Sequence, residues 1–148
     1  MNFRKATIKD IPHLVSYRKQ QLIEEGAPPE IAIDSELSAY FTTSISDGSF
    51  LSWIAIDGEE IVATSGICFY QLPPTHFNPT GRTAYVTNMY TLPEYRRQGI
   101  ASHLLDLVVE EAKMLDYKII RLHTSADGKS IYSKKGFSDT DGFMAMKL

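Results

Sequence analysis

The stretch Asn88 to Ser102, NMYTLPEYRRQGIAS, decides how this chain is read. It opens in a strand-like run, Thr83 to Thr91, which stops at Leu92-Pro93. A charged turn follows, and Gly99 then opens a helix from about Gln98 to Leu115. Ile100, Ala101, Leu104, Leu105, Val108, Ala112 and Leu115 keep to one face of that helix. The first amides of a helix have no partner inside it, and they sit at the positive end of its dipole. That pairing favours an anion, and a glycine there lets a diphosphate approach the backbone. Arg96 and Arg97 add formal charge at the same mouth. A glycine at a strand-to-helix joint is also common for purely structural reasons, so the motif needs its context.

Working outward toward the N-terminus, Phe3 to Ile8 alternates as a short strand. Asp10 is placed to cap a helix with Pro12 in its first turn, and Ile11, Leu14, Val15, Arg18 and Leu22 recur at helical spacing. Gly26-Ala27-Pro28-Pro29 separates it from a second helix with Ile33, Leu37, Tyr40 and Phe41 on one stripe, ending before Asp47-Gly48. Strands over Phe50 to Ile56 and Glu60 to Tyr70 are joined at Asp57-Gly58, a strong hairpin signal. Gln71 to Gly81 is a loop carrying Pro73-Pro74, His76 and Asn78-Pro79, long enough to suggest a role at an acceptor pocket. Beyond the central helix, a strand over Lys118 to His123, a short helix over Asp127 to Lys135 and a closing strand over Phe143 to Leu148 are expected, with a further strand near Phe137 to Thr140 less distinct. The order predicts a single α/β domain with a mixed sheet.

The composition narrows the function classes. With 148 residues, 43% of them hydrophobic, one core is affordable, and a net charge of −3 gives no pull toward nucleic acid or anionic membrane. No apolar run approaches the roughly 18 residues of a membrane span, and no signal-peptide pattern opens the chain. The lone Cys68 fits a reducing compartment, so a soluble, cytoplasmic protein is expected. His13, His76, His103 and His123 lack metal-ligand spacing. Gly128-Lys129-Ser130 resembles the end of a phosphate-binding P-loop, but the required earlier glycine is His123.

Two elements together give a family resemblance. Arg96-Arg97-Gln98-Gly99-Ile100-Ala101, preceded by Pro93-Glu94-Tyr95, resembles the R/Q-x-x-G-x-G/A element of GNAT N-acetyltransferases. About thirty residues on, Ile131-Tyr132-Ser133-Lys134-Lys135-Gly136-Phe137 is similar to the family's L-Y-x-x-x-G-F ending. The opening Phe3-Arg4-Lys5-Ala6-Thr7, followed by Asp10, also matches, so the resemblance spans the chain. It implies a mixed, mostly antiparallel sheet flanked by helices. It also implies acetyl-CoA as co-substrate without a metal, and an amine acceptor on a small molecule or peptide terminus. The backbone of Met89, Tyr90 and Thr91 would bond the pantetheine arm as an added strand. The segment Arg96, Arg97, Gln98, Gly99, Ile100, Ala101 and Ser102 would hold the diphosphate.

By the same resemblance Tyr132 is the candidate acid for the departing thiolate, against a packing role at a helix end. Many members have an asparagine seven residues before the tyrosine. Ser125 stands there with less reach, and Gly128 replaces a frequent alanine. The usual glutamate is missing from Ile119 to Ser125, which leaves His123, His76, Glu24, Glu25, Glu30 or a water chain as routes for the amine proton. A non-catalytic acyl-CoA-binding or regulatory module is the competing class, and another acyl group or an O-acceptor is a third reading. Homodimers are frequent in the family, although no exposed stripe here demands one.

Overall fold

The computed structural model describes every residue except Asp127, Asp141 and Phe143. Its strands are β1 (Asn2–Lys5), β2 (Phe50–Asp57), β3 (Glu60–Gln71), β4 (Arg82–Thr91) and β5 (Ile120–Leu122). Its helices are α1 (Ile11–Glu24), α2 (Asp34–Asp47), α3 (Ile100–Met114) and α4 (Lys129–Lys134). The strands lie in the order β1-β2-β3-β4-β5. The first three pairings are antiparallel and β4 pairs β5 in parallel, so the expected mixed sheet is present. The right of β5 to lie parallel comes from α3, which carries the chain back between β4 and β5.

The sheet is covered on both faces, as its long apolar runs require. On one face Ile11, Leu14 and Val15 of α1 and Phe41 of α2 pack on Phe50, Ile54 and Ile61. On the other, Leu105, Val108 and Ala112 of α3 pack on Ile67, Ala84 and Val86, while Ile100 and Leu104 meet Ala55, Val62 and Ala63. Leu104, Leu105 and Val108 are wholly buried, each contributing about 1.5–3 kcal/mol of transfer free energy. No helix among the described residues is long and apolar enough to cross a membrane.

Four local expectations shift. The first strand ends at Lys5, because Thr7 starts a short 3₁₀ turn over Ile8–Asp10. Asp10 stands at the α1 N-cap position but makes no side-chain cap bond to that helix. Its carboxylate instead accepts from both Arg4 amines, at 2.8 and 2.9 Å, and from the Thr7 N–H at 2.7 Å. The β2–β3 hairpin turns at Gly58-Glu59, one residue later than expected. Asp57 still pairs with Glu60, and Gly58 supplies the positive φ of +60°. Finally, residues 137–140 and 144–148 form no strand, and Phe143 of the expected closing strand lies outside the described residues. Met144, Met146 and Leu148 alternate as a strand would, yet they are exposed. A period of two makes a strand only where a neighbouring edge receives it.

Candidate active site

The site begins with one extra residue in β4. Gly66 pairs with Thr87 and Thr64 with Tyr90, so Asn88 and Met89 together stand opposite Ser65. This is a β-bulge, and Asn88 takes the left-handed conformation (φ +54°) that asparagine tolerates better than most residues. Thr64 Oγ1 donates to the Asn88 carbonyl at 3.0 Å and fixes it. On its far side β4 pairs β5 only from Ala84 to Val86. From Thr87 to Thr91 that edge of β4 has no strand partner among the described residues. The pairing with β5 stops short of the bulge, and it leaves that edge of Met89, Tyr90 and Thr91 without a strand neighbour among the described residues.

At the end of β4 a short 3₁₀ turn, Pro93–Tyr95, leads to the loop before α3. Arg97 (φ +61°) and Gly99 (φ +82°) are both left-handed, which curls the backbone into a cup of amides. The first bond inside α3 runs from the His103 N–H to the Gly99 carbonyl at 3.0 Å. The amides of Ile100, Ala101 and Ser102 precede it, and Gly99 provides no side-chain cap. A Cβ on Gly99 would meet open space, so only its backbone conformation and the room outside it call for glycine. This is the helix N-terminus that the sequence motif describes.

The two arginines separate. Arg97 is exposed at the cup. Arg96 turns away from it, donating from Nε to the Thr91 carbonyl at 2.9 Å and forming a two-bond pair with Glu24 at 2.8 and 2.9 Å. Its guanidinium also lies over the Tyr90 ring, 5.6 Å from the centroid. Arg96 therefore ties the end of α1 to the end of β4, and its charge is already matched. Gln98 bonds back to the Glu94 carbonyl at 3.1 Å, closing the turn.

Tyr132 stands on α4. Its ring packs edge-on to Phe137, with centroids 6.0 Å apart, against the cluster under α3. Burial raises its pKa above the ordinary phenol value, and the charge of Glu25 raises it further. The phenol is thus held as a proton donor, and the end of α1 is close enough to act on it. A Cβ at Gly128 would come within 3.0 Å of the Tyr132 ring, so glycine makes room for that ring rather than simply loosening the helix start. The Ser125 hydroxyl accepts from the Gly128 N–H at 3.3 Å, steadying the turn into α4.

The expected routes for the amine proton also separate. Glu24 is engaged by Arg96 and by the Tyr90 hydroxyl. His123 and His76 have exposed side chains, and Glu30 lies on the surface between α1 and α2. Glu25, accepting from Gln21 at 3.1 Å, is the carboxylate whose charge reaches Tyr132. Among the described residues no group of three histidine, cysteine or acidic side chains is gathered for a metal.

Position in the strand alone does not say whether Asn88 faces core or site, and sequence reasoning did not single out Gln21, Tyr70 or Tyr85. Asn88 is buried, and its Nδ2 has no hydrogen-bond partner. One available signal was parity. Tyr85 lies beside Cys68 on the α1 face, and Tyr90 stacks near Tyr17 of α1 at 5.4 Å, yet they are five residues apart. A regular strand would send them to opposite faces.

The comparisons agree with this geometry. A predicted acetyltransferase from Clostridium acetobutylicum, whose crystal structure is with acetyl-CoA, is 47% identical and superposes with a TM-score of 0.95 over 99% of this chain and 96% of its own. A GCN5-related N-acetyltransferase from Ralstonia eutropha JMP134 is 23% identical, with a TM-score of 0.93 over 99% and 97% of the two chains. Glucosamine-6-phosphate N-acetyltransferase from Arabidopsis thaliana shares the fold at 17% identity, with a TM-score of 0.76 over 99% and 97%. No curated protein sequence matches the chain. The family model for the acetyltransferase (GNAT) family matches residues 17–137, which takes in the bulge, the amide cup and Tyr132. This chain belongs to the GNAT acetyltransferase family.

Proposed function

We propose that the protein moves an acetyl group directly from acetyl-CoA to a primary amine of a small molecule or peptide terminus. The observation that carries this reading is the edge of β4 from Thr87 to Thr91, which has no strand partner among the described residues and leads through the Pro93–Tyr95 turn to the amide cup at Gly99. Support also comes from the 47% identical relative, crystallised with acetyl-CoA. In this reading the diphosphate lies on the amides of Gly99 to Ser102, with Arg97 beside them. The pantetheine arm extends β4 at Met89, Tyr90 and Thr91, and Ser125 lies near the same arm.

The chemistry follows from those positions. The amine nitrogen attacks the thioester carbonyl, a C–N bond forms and the C–S bond breaks. An amide at the bulge, freed from the ladder, donates to the developing oxyanion. Tyr132 donates to the departing sulfur. Full transfer from an unperturbed phenol at about 10 to a thiolate at about 8.5 already costs about 2 kcal/mol, and the raised pKa of Tyr132 adds to that, so a hydrogen bond that strengthens as charge builds serves better than complete transfer. The amine's proton leaves toward Glu25 or water. Calorimetric titration with acetyl-CoA tests the first half of this reading, with micromolar affinity expected. Thiol release with a panel of amines tests the second. No binding at millimolar acetyl-CoA overturns it.

A further inference from the structure

The sheet face under α1 is covered unevenly. Near Phe50 and Ile54 it is sealed by Leu14, Val15 and Phe41, but at Cys68, Tyr70 and Tyr85 the cover is only partial, while Thr83 beyond them is buried again. Cys68, Tyr70 and Tyr85 are only half-buried there, and Tyr40 of α2 stands partly exposed above them. Phe50, Cys68 and Tyr85 form one cross-strand row on the side of the sheet that α1 covers, and its Cys68–Tyr85 end is the partly covered one.

Arg18 lies by the Tyr85 end of this row, at a position that the helix pattern assigns to the core. It follows Ile11, Leu14 and Val15 on the sheet-facing stripe of α1. Its stem is half-buried, and its charge acts on the phenol of Tyr85, lowering a pKa that burial raises more strongly. Arg4 and Arg96 are each held by a carboxylate, whereas Arg18 meets none among the described residues. Among the described residues its one hydrogen bond goes from a guanidinium nitrogen to the neutral Gln21 Oε1 at 3.0 Å. Five donors in a fork, partly removed from water and given a single neutral acceptor, are poised for an anion.

Gln21 also links this position to the reacting end. Its amide nitrogen donates to Glu25, and Glu25 acts on Tyr132, so α1 presents a rail of Arg18, Gln21 and Glu25. Seven residues separate the ends of the rail, about 10 Å along a helix. A ligand lying on it would meet a cation at one end, and at the other a carboxylate beside the candidate acid. We infer that the acceptor is an amine carrying an anionic group, a carboxylate or a phosphate, and that Arg18 receives that group while the amine lies toward Glu25 and Tyr132. The inference rests on the transferase reading above and adds the chemical class of the acceptor.

Matched pairs test it. Amino acids from glycine to 6-aminohexanoate, and the common α-amino acids, are compared with their amides, and aminoalkyl phosphates with the corresponding amino alcohols. Thiol release is followed with the wild type, Arg18→Gln and Arg18→Lys. The expected result is at least a tenfold higher kcat/KM for the anionic member of the best pair. Arg18→Gln should remove that preference through KM, with kcat changed less than threefold, and Arg18→Lys should restore part of it. The carboxylate and phosphate arms say which anion is meant. Equal or better turnover of the neutral members overturns the inference alone, as does an Arg18→Gln variant that keeps the preference. No thiol release with any member overturns the transferase reading and this inference together.

Discussion

At the scale of single residues, the site depends on a phenol kept protonated. Burial and the Glu25 charge both raise the pKa of Tyr132, so it stays a donor through the neutral and mildly alkaline range. Tyr132→Phe should lower kcat roughly 10²-fold while acetyl-CoA affinity changes less than about threefold. The wild-type rate should show no alkaline fall from this group until beyond the ordinary phenol range. Unchanged turnover in the phenylalanine variant would remove Tyr132 from the acid role. Tyr132 was legible in the sequence because its motif has fixed spacing. Arg18 was visible only as a member of an apolar stripe, since spacing places a residue on a face but does not say whether that face is covered. Asn88 was harder still, because a bulge leaves no mark in composition.

At the scale of elements, the amide cup works through the joint between β4 and α3. Gly99 has a positive φ and open space beyond its Cα, so a side chain there costs some backbone strain and projects outward. Gly99→Glu should fold, with about 1–2 kcal/mol lost, but should bind acetyl-CoA at least 10²-fold more weakly, because a carboxylate would occupy the anion position. Retained micromolar binding would place the cofactor elsewhere. Gly66 lies on the opposite side of the bulge. A Cβ there would meet the Phe50 ring at 2.6 Å and the Asn88 Cβ at 3.2 Å. Gly66→Ala should therefore cost about 1–3 kcal/mol in urea unfolding, from overpacking beneath α1. An unchanged midpoint would mean that Phe50 can move aside freely. The strands, α1, α2 and α3 were legible from periodicity and turn residues. Besides the expected closing strand, which forms no strand over residues 144–148, the missed details lay at element ends, where Asp10 chose Arg4 over a helix cap and the hairpin turned one residue late. In each case a nearby side chain or the strand register settled a choice that local sequence leaves open.

At the scale of the whole molecule, the N-terminal segment is bound to the rest through charge as well as packing. The Arg4 guanidinium and the Thr7 amide hold the Asp10 carboxyl at about 2, below its ordinary value of 3.8. A group whose pKa falls on folding stabilises the folded state above its unfolded pKa, and loses that contribution as pH drops through the folded value. The Asp10 contribution should be intact above about pH 5 and should fade between about pH 4 and 2. Arg4 is partly exposed, so about 1–2 kcal/mol is expected. Asp10→Asn should lower Tm by roughly 3–6 °C at pH 7 and flatten the acid limb of the stability curve. An unaltered acid limb would show that the pair is matched equally well in the unfolded chain.

The bulge at Asn88 has a further consequence for the two faces of the sheet. One inserted residue advances the alternation by half a period, so β4 changes allegiance partway along its length. Upstream, odd-numbered Tyr85 looks toward α1; downstream, even-numbered Tyr90 does. Deleting Asn88 would leave every remaining residue present but return the strand to a single phase. Met89 and Tyr90 would keep their present sides, because Thr64 would still face Tyr90; it is a strand that kept Asn88 in regular register that would drive the Tyr90 ring under α3 and turn the Met89 thioether toward Tyr17. The frame of the strand is thus counted in residues, and the edge that β5 leaves unpaired begins at the point where the count changes.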